Sequence, residues 1–180
     1  MSFEAKSVNY CFRTLSLSHI RVASLGKWLS KVEATHSLTP FTHPTIIGHY
    51  RTLPVLTWGK NAEFDYKPEN KYYPRFPMGS FGHIVSRYIS DYINTNFDAL
   101  MEYQGEDTSL GIWMDQSPMK TSVKWLGCDV CVHSGQCEDK NKLLIGHHIK
   151  IKRMRECYEK DDEVEIEKLG VMEPRGRYRG

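Results

Sequence analysis

GHIVSRYISDYI, Gly82 to Ile93, is the stretch whose reading decides the fold. Ile84 and Val85 form a short apolar run suited to a buried strand. Ser86 follows, a residue type whose hydroxyl suits a helix N-cap. Ile89, Tyr92 and Ile93 then recur three and four residues apart, the spacing of one helical face. A strand period that gives way directly to a helix period points to α/β architecture.

The reading extends in both directions. Downstream, a helix is expected from Gly105-Glu106-Asp107, burying Leu110, Trp113 and Met114 and stopped by Pro118. Residues 121–126 and 143–146 read as strands, and Arg153 to Tyr158 as a short helix. From Lys160 the chain is charged and weakly patterned, so 161–180 is expected to be a disordered tail behind one domain over 1–160. Upstream, residues 59–78 form a long loop whose five aromatics between Phe64 and Phe76 argue for order. Ile46-Ile47 and Val55-Leu56 read as strand pieces. Leu25, Trp28, Leu29 and Val32 predict a helix over 24–37, with Ser24 as its cap, ending before Pro40. Val8, Tyr10 and Phe12 alternate with polar neighbours and predict a strand. The alternation breaks at Leu15-Ser16-Leu17, and a helical pattern follows.

Composition excludes several function classes. Hydrophobic content is 40% and charged content 26%, ordinary for a globular protein of 180 residues. A net charge of +2 is too small to argue for nucleic acid. No apolar run reaches the roughly 18 residues that a membrane span needs. The start, MSFEAKSVNY, has no signal-peptide core and runs almost at once into a strand, as if entering a domain partway through. Of the five cysteines, Cys128, Cys131 and Cys137 cluster with one zinc-like half. His133, His147 and His148 could complete a site on paper, but the spacing matches no common zinc module. A disulfide-pinned loop is expected in a secretory setting and free thiols in the cytosol.

Three stretches could carry chemistry. GEDTSLGIW, Gly105 to Trp113, sets two adjacent carboxylates at a helix start. They can cap free N–H groups there and meet the helix dipole. They can equally present a rigidly held general base to a hydroxyl. YYPRFPMGSFGHIVS, Tyr72 to Ser86, combines aromatic rings that stack on sugar faces with glycines that let backbone approach a ligand; a tight structural loop is the other reading. LLIGHHIK, Leu143 to Lys150, puts His147 at a strand end, where it can ligate a metal or simply pack.

In this order the three stretches resemble the carboxyl-terminal catalytic half of the β-1,3-galactosyltransferase and Fringe-like enzymes, glycosyltransferase family 31. Tyr73-Pro74-Arg75-Phe76, Gly79, Gly82 and Ile84-Val85-Ser86 are similar to the family's Tyr-Pro stretch, glycine cluster and strand. Glu106-Asp107-Thr108-Ser109-Leu110-Gly111-Ile112-Trp113 resembles its Glu-Asp block, and Leu143–His147 its final strand and histidine. The likeness spans about residues 8 to 158. Phe81 is an extra residue in the glycine cluster.

The resemblance implies a GT-A, Rossmann-like α/β sandwich. It implies transfer of galactose or an N-acetylhexosamine, with inversion, from a UDP-sugar to a hydroxyl of a glycan or glycoprotein acceptor. It further implies manganese and a Golgi-lumenal enzyme of type II topology. Asp107 would be the base and Glu106 its substrate-orienting neighbour. Tyr73, Pro74, Gly79, Gly82 and Trp113 would line the substrate cleft, and His147 would be a metal ligand. The family's acidic metal motif falls at Leu15-Ser16-Leu17, where leucine offers no side-chain oxygen and Ser16 only a hydroxyl. The family's nucleotide-binding half and membrane anchor lie upstream of that motif, so 1–160 is expected to be a partial catalytic domain lacking its amino-terminal half. Two expectations follow: a hexosyltransferase-like domain, or a catalytically dead remnant that kept an acceptor-binding or interaction role.

Overall fold

The computed structural model describes residues 10–13, 18–20, 22–39, 42–51, 71–79, 82–103, 105–127, 132–134, 145–147 and 149–159. The strands are β1 (Tyr10–Arg13), β2 (Ser18–Ile20), β3 (Thr45–Gly48), β4 (Tyr50–Arg51), β5 (Phe76–Pro77), β6 (His83–Ser86), β7 (Lys124–Gly127), β8 (Val132–Ser134) and β9 (Ile145–His147). The helices are α1 (Val22–His36), α2 (Arg87–Thr95), α3 (Glu106–Gln116) and α4 (Ile151–Glu159). The fold is mixed α/β. Leu15-Ser16-Leu17, Val55-Leu56, loop residues 59–70, Phe81, the Cys128–Cys131–Cys137 cluster, His148 and the 161–180 tail lie outside the described residues.

The largest sheet has strand order β1-β6-β3-β7. β6 runs antiparallel to both β1 and β3, while β3 and β7 are parallel. Alternate residues of a strand face opposite sides. Ile46 and Val85 turn to one face and meet Ile89 of α2 with Leu110 and Met114 of α3 in a single buried cluster. Ile47, Ile84 and Leu126, of the other parity, are also buried, so both faces of this sheet are covered. Full burial of side chains such as Ile46 and Ile89 stabilises by about 1.5–3 kcal/mol each.

Tyr50 fastens the parallel pair. Its buried hydroxyl lies 2.5 Å from the Ile46 carbonyl and 2.6 Å from that of Leu126, and its ring meets Trp125 edge-on at 5.4 Å. α1 carries Trp28 and Val32 on its buried stripe. It ends with Ser37 at φ 50° and the Leu38 N–H bonded to the Glu33 carbonyl at 2.9 Å, a left-handed C-terminal cap.

Several expectations need adjustment. Residues 18–20 form a strand, not the entry to a helix: β2 pairs antiparallel with β9, which also pairs parallel with β8. Cross-strand bonding from distant chain overrides the local pattern. Ser86 does precede α2, yet its side chain caps nothing. The Ser86 Oγ instead accepts the Thr45 N–H at 3.0 Å, tying the start of β3 to the end of β6. Phe76-Pro77, expected within a loop, pairs with β4.

Candidate functional site

The Glu-Asp pair opens α3 as the sequence predicts, with Gly105 as the N-cap residue. Glycine has no side chain to cap with, so neighbouring groups reorganise around it. The Gly105 carbonyl accepts three bonds: the Ser109 N–H at 2.8 Å, the Thr108 hydroxyl at 2.9 Å and the Ser109 hydroxyl at 2.6 Å. This clasp fixes the first turn on which Asp107 stands.

Asp107 is held at both oxygens. Oδ1 accepts the Thr108 N–H at 2.9 Å, satisfying one free donor of the helix start. Oδ2 accepts the Gly79 N–H at 3.1 Å. Gly79 belongs to the glycine cluster, so the two stretches singled out in the sequence meet at this carboxylate. Each carboxylate oxygen has a second lone pair, which leaves Asp107 able to accept from a ligand hydroxyl. Asp107 is half-buried. Beside it, the Glu106 Oε1 is buried and has no hydrogen-bond partner among the described residues.

The glycine cluster has the conformation that its composition suits. Gly82 has φ 74°, the left-handed region that side chains disfavour, and its N–H bonds back to the Gly79 carbonyl at 3.0 Å. This turn aims the Gly79 amide at Asp107.

Tyr73 is buried, packed edge-on to Phe76 at 5.8 Å in a small cluster with Ile112 and Tyr103. Pro74 is half-buried next to it. Trp113 packs partly buried against the main cluster, and its indole N–H donates to the Met101 carbonyl at 2.8 Å. Arg75 sits over the Trp125 ring at 5.9 Å. Asp107, Gly79 and Gly82 therefore converge, with Glu106 adjacent in the same helical turn, while Tyr73 and Trp113 stand in packed surroundings.

The sequence reading gave Gly111 no role of its own. It sits inside α3, where glycine costs helix stability. A Cβ there would lie 2.7 Å from the Arg75 carbonyl oxygen and 2.7 Å from the Phe76 Cβ. The Tyr-Pro stretch thus crosses α3 in direct contact at this glycine. An unexplained glycine in a helix interior was the available signal.

The resemblance also implies a divalent metal near His147. β9 places the backbone of His147 directly opposite Ser18, the residue after Leu17. The positions of the family's acidic motif, Leu15-Ser16-Leu17, lie outside the described residues, and in the sequence they supply two leucines and one hydroxyl. Among the described residues no three His, Cys, Asp or Glu gather into a metal site. Hard cations take oxygen ligands, several of them charged, and the Leu15-Ser16-Leu17 sequence offers no carboxylate. Among the described residues, no helix is long and apolar enough to cross a membrane.

Comparison with known proteins gives a local match. Over 56 residues the chain is 45% identical to UDP-GalNAc:beta-1,3-N-acetylgalactosaminyltransferase 2 of Danio rerio, covering 31% of this chain and 11% of that protein. The Mus musculus protein of the same name is 45% identical over 56 residues, 31% of this chain and 10% of its own. The Homo sapiens protein is 43% identical over 56 residues, 31% and 11% respectively. The match thus spans only about a tenth of the length of these curated relatives. No family model matches the chain. The similarity is to glycosyltransferases, and it is confined to that segment.

Proposed function

We propose that the chain carries the acceptor-activating part of an inverting hexosyltransferase of the family-31 type, built on a GT-A-like sandwich. The observation that carries this reading is the hydrogen bond from the Gly79 N–H to the Asp107 Oδ2 at 3.1 Å. It joins the glycine cluster to the Glu-Asp helix start and holds a carboxylate rigidly with accepting capacity to spare.

In this reading an acceptor hydroxyl of a glycan or glycoprotein donates its hydrogen bond to Asp107. The hydroxyl oxygen attacks the anomeric carbon of a UDP-sugar as its proton passes to Asp107. The bond from that carbon to the diphosphate oxygen breaks, UDP leaves with the electron pair, and the configuration inverts. The local similarity to N-acetylgalactosaminyltransferases supports an N-acetylhexosamine donor. Glu106, whose Oε1 has no hydrogen-bond partner among the described residues, would accept from a second substrate hydroxyl. Because Leu15-Ser16-Leu17 brings no carboxylate to the family's metal motif, no step is assigned to a metal. Cys157 is disulfide-bonded, which suits an oxidising compartment such as the Golgi lumen.

Transfer from UDP-N-acetylgalactosamine to a panel of oligosaccharide acceptors tests the reading. Asp107→Asn is nearly isosteric and keeps an acceptor for one of the two N–H groups, but it cannot take the proton, so transfer should fall by about 10²–10⁴-fold while circular dichroism still shows a folded protein. Retained transfer removes Asp107 from the role of base. The replacement of the acidic triad favours a second reading, a binding domain without catalysis. There the parent would bind acceptor without transferring, and Glu106→Gln or Asp107→Asn would weaken that binding.

A further inference from the structure

We propose that the cleft between α2 and the turn after α3 binds a neutral pyranose, at a place distinct from the Asp107 centre. The cleft encloses about 450 Å³, within the range of small-molecule sites. Tyr88, Asp91, Tyr92, Thr95 and Asn96 line it from α2 and the residue that follows it. Tyr88, Tyr92 and Thr95 follow four and three residues apart, so they share one stripe of α2. Pro118 and Met119 close the other side.

The wall offers the two things that a sugar ring needs. Tyrosine rings give flat apolar surface to a pyranose C–H face, and pyranose hydroxyls both donate and accept. Tyr92 is anchored, because its ring packs on the cluster of Ile46, Ile89 and Met119. Tyr88 is 41% exposed and faces solvent. Asn96 is held by its Nδ2, which donates to the Tyr92 carbonyl at 2.8 Å, leaving its Oδ1 to accept. Tyr88, Tyr92 and Thr95 each bring a hydroxyl-bearing side chain to the same lining. Several hydrogen-bonding side chains therefore stand beside aromatic and aliphatic surface.

Charge argues for a neutral occupant. No lining residue is cationic, which disfavours phosphate and carboxylate ligands. Asp91, the one anion, is balanced by Arg87, whose Nε donates to its Oδ1 at 2.6 Å. The location is separate from the base. Asp107 stands in the first turn of α3 and Pro118 just past its last, so roughly 16 Å of helix lies between them. The proposal rests on the cleft alone and is independent of any transfer chemistry.

Saturation-transfer NMR with methyl β-galactopyranoside and with the methyl glycosides of N-acetylglucosamine and N-acetylgalactosamine tests it. At least one should bind, with a millimolar dissociation constant. Tyr88→Ala should weaken binding roughly fivefold to tenfold, the value of one aromatic contact, whereas Tyr88→Phe should retain most of it. Asn96→Ala should also weaken binding. Circular dichroism melting confirms that the variants fold. Two outcomes overturn the proposal: no saturation transfer from any glycoside at tens of millimolar, or binding indifferent to both Tyr88→Ala and Asn96→Ala.

Discussion

Gly111→Ala should destabilise the protein, although alanine is the better helix former. In an unconstrained helix the change gains about 1 kcal/mol. Here the new methyl would sit 2.7 Å from the Arg75 carbonyl oxygen, 2.7 Å from the Phe76 Cβ and 3.2 Å from the Phe76 Cα. Two of these three atoms are backbone, so no side-chain rotation clears the space. Carbon atoms settle at about 3.5–4.0 Å, so α3 and the Arg75–Phe76 strand must separate by roughly 1 Å. Overpacking of this kind costs about 1–3 kcal/mol. The upper end applies because the obstacle is backbone, leaving a net loss of about 2 kcal/mol once the helix-propensity gain is counted. For a chain of this size that lowers the midpoint by about 4–8 °C. Gly26 in α1 is the internal control: a Cβ there meets nothing within 4 Å. Gly26→Ala should therefore raise stability by about 0.5–1 kcal/mol. Thermal and urea unfolding of both variants gives the comparison. A Gly111→Ala protein as stable as the parent, or stabilised like Gly26→Ala, refutes the close crossing of α3 and β5. The same separation would draw Gly79 away from Asp107, so transfer or acceptor binding should fall beyond what stability alone predicts.

Other perturbations probe different parts of the chain. Tyr50→Phe removes the hydroxyl lying against the Ile46 and Leu126 carbonyls and should cost about 1–3 kcal/mol in urea unfolding; a loss under a few tenths would deny that it fastens β3 to β7. Leu15→Asp combined with Leu17→Asp restores acidic donors in the segment that leads into β2. With manganese at a hundred times its dissociation constant, the double variant should gain about 2.7 kcal/mol of stability and the parent nothing. A variant that ignores manganese shows that the segment does not face His147 as the family register requires.

The α/β class and the main segments were legible because they carry long periods. Ile84-Val85 running into Ile89, Tyr92 and Ile93 gave β6 and α2, and Leu110 with Met114 gave the buried stripe of α3. The helix-start position of Asp107 was legible for the same reason. Its second partner was not, because no local pattern says that the Gly79 amide will reach it. β2, β5 and β8 were missed or misassigned. Strands of two or three residues hold too few positions to express a period of two, and pairing partners distant in sequence decide them. Ser86 has a cap-forming side chain, but the buried Thr45 amide needs an acceptor more than the solvent-facing start of α2 does. Gly111 shows the reverse case, a residue poor for its element and explained only by the strand that lies against it.

The pairing of β2 with β9 has a consequence for biosynthesis. β2 leaves the ribosome well before its partner, which follows roughly 125 residues later, a delay of roughly 6–25 seconds at ordinary elongation rates of about 5–20 residues per second. Throughout that interval the Ser18–Ile20 backbone has no ladder to join. β1, by contrast, can pair as soon as β6 emerges. The nascent chain therefore assembles its larger sheet first and carries an open edge beside it, which is the condition under which a lumenal or cytosolic chaperone has most to protect. Newly made molecules interrupted before Ile145 would hold β3, β6 and β7 but never close the smaller sheet.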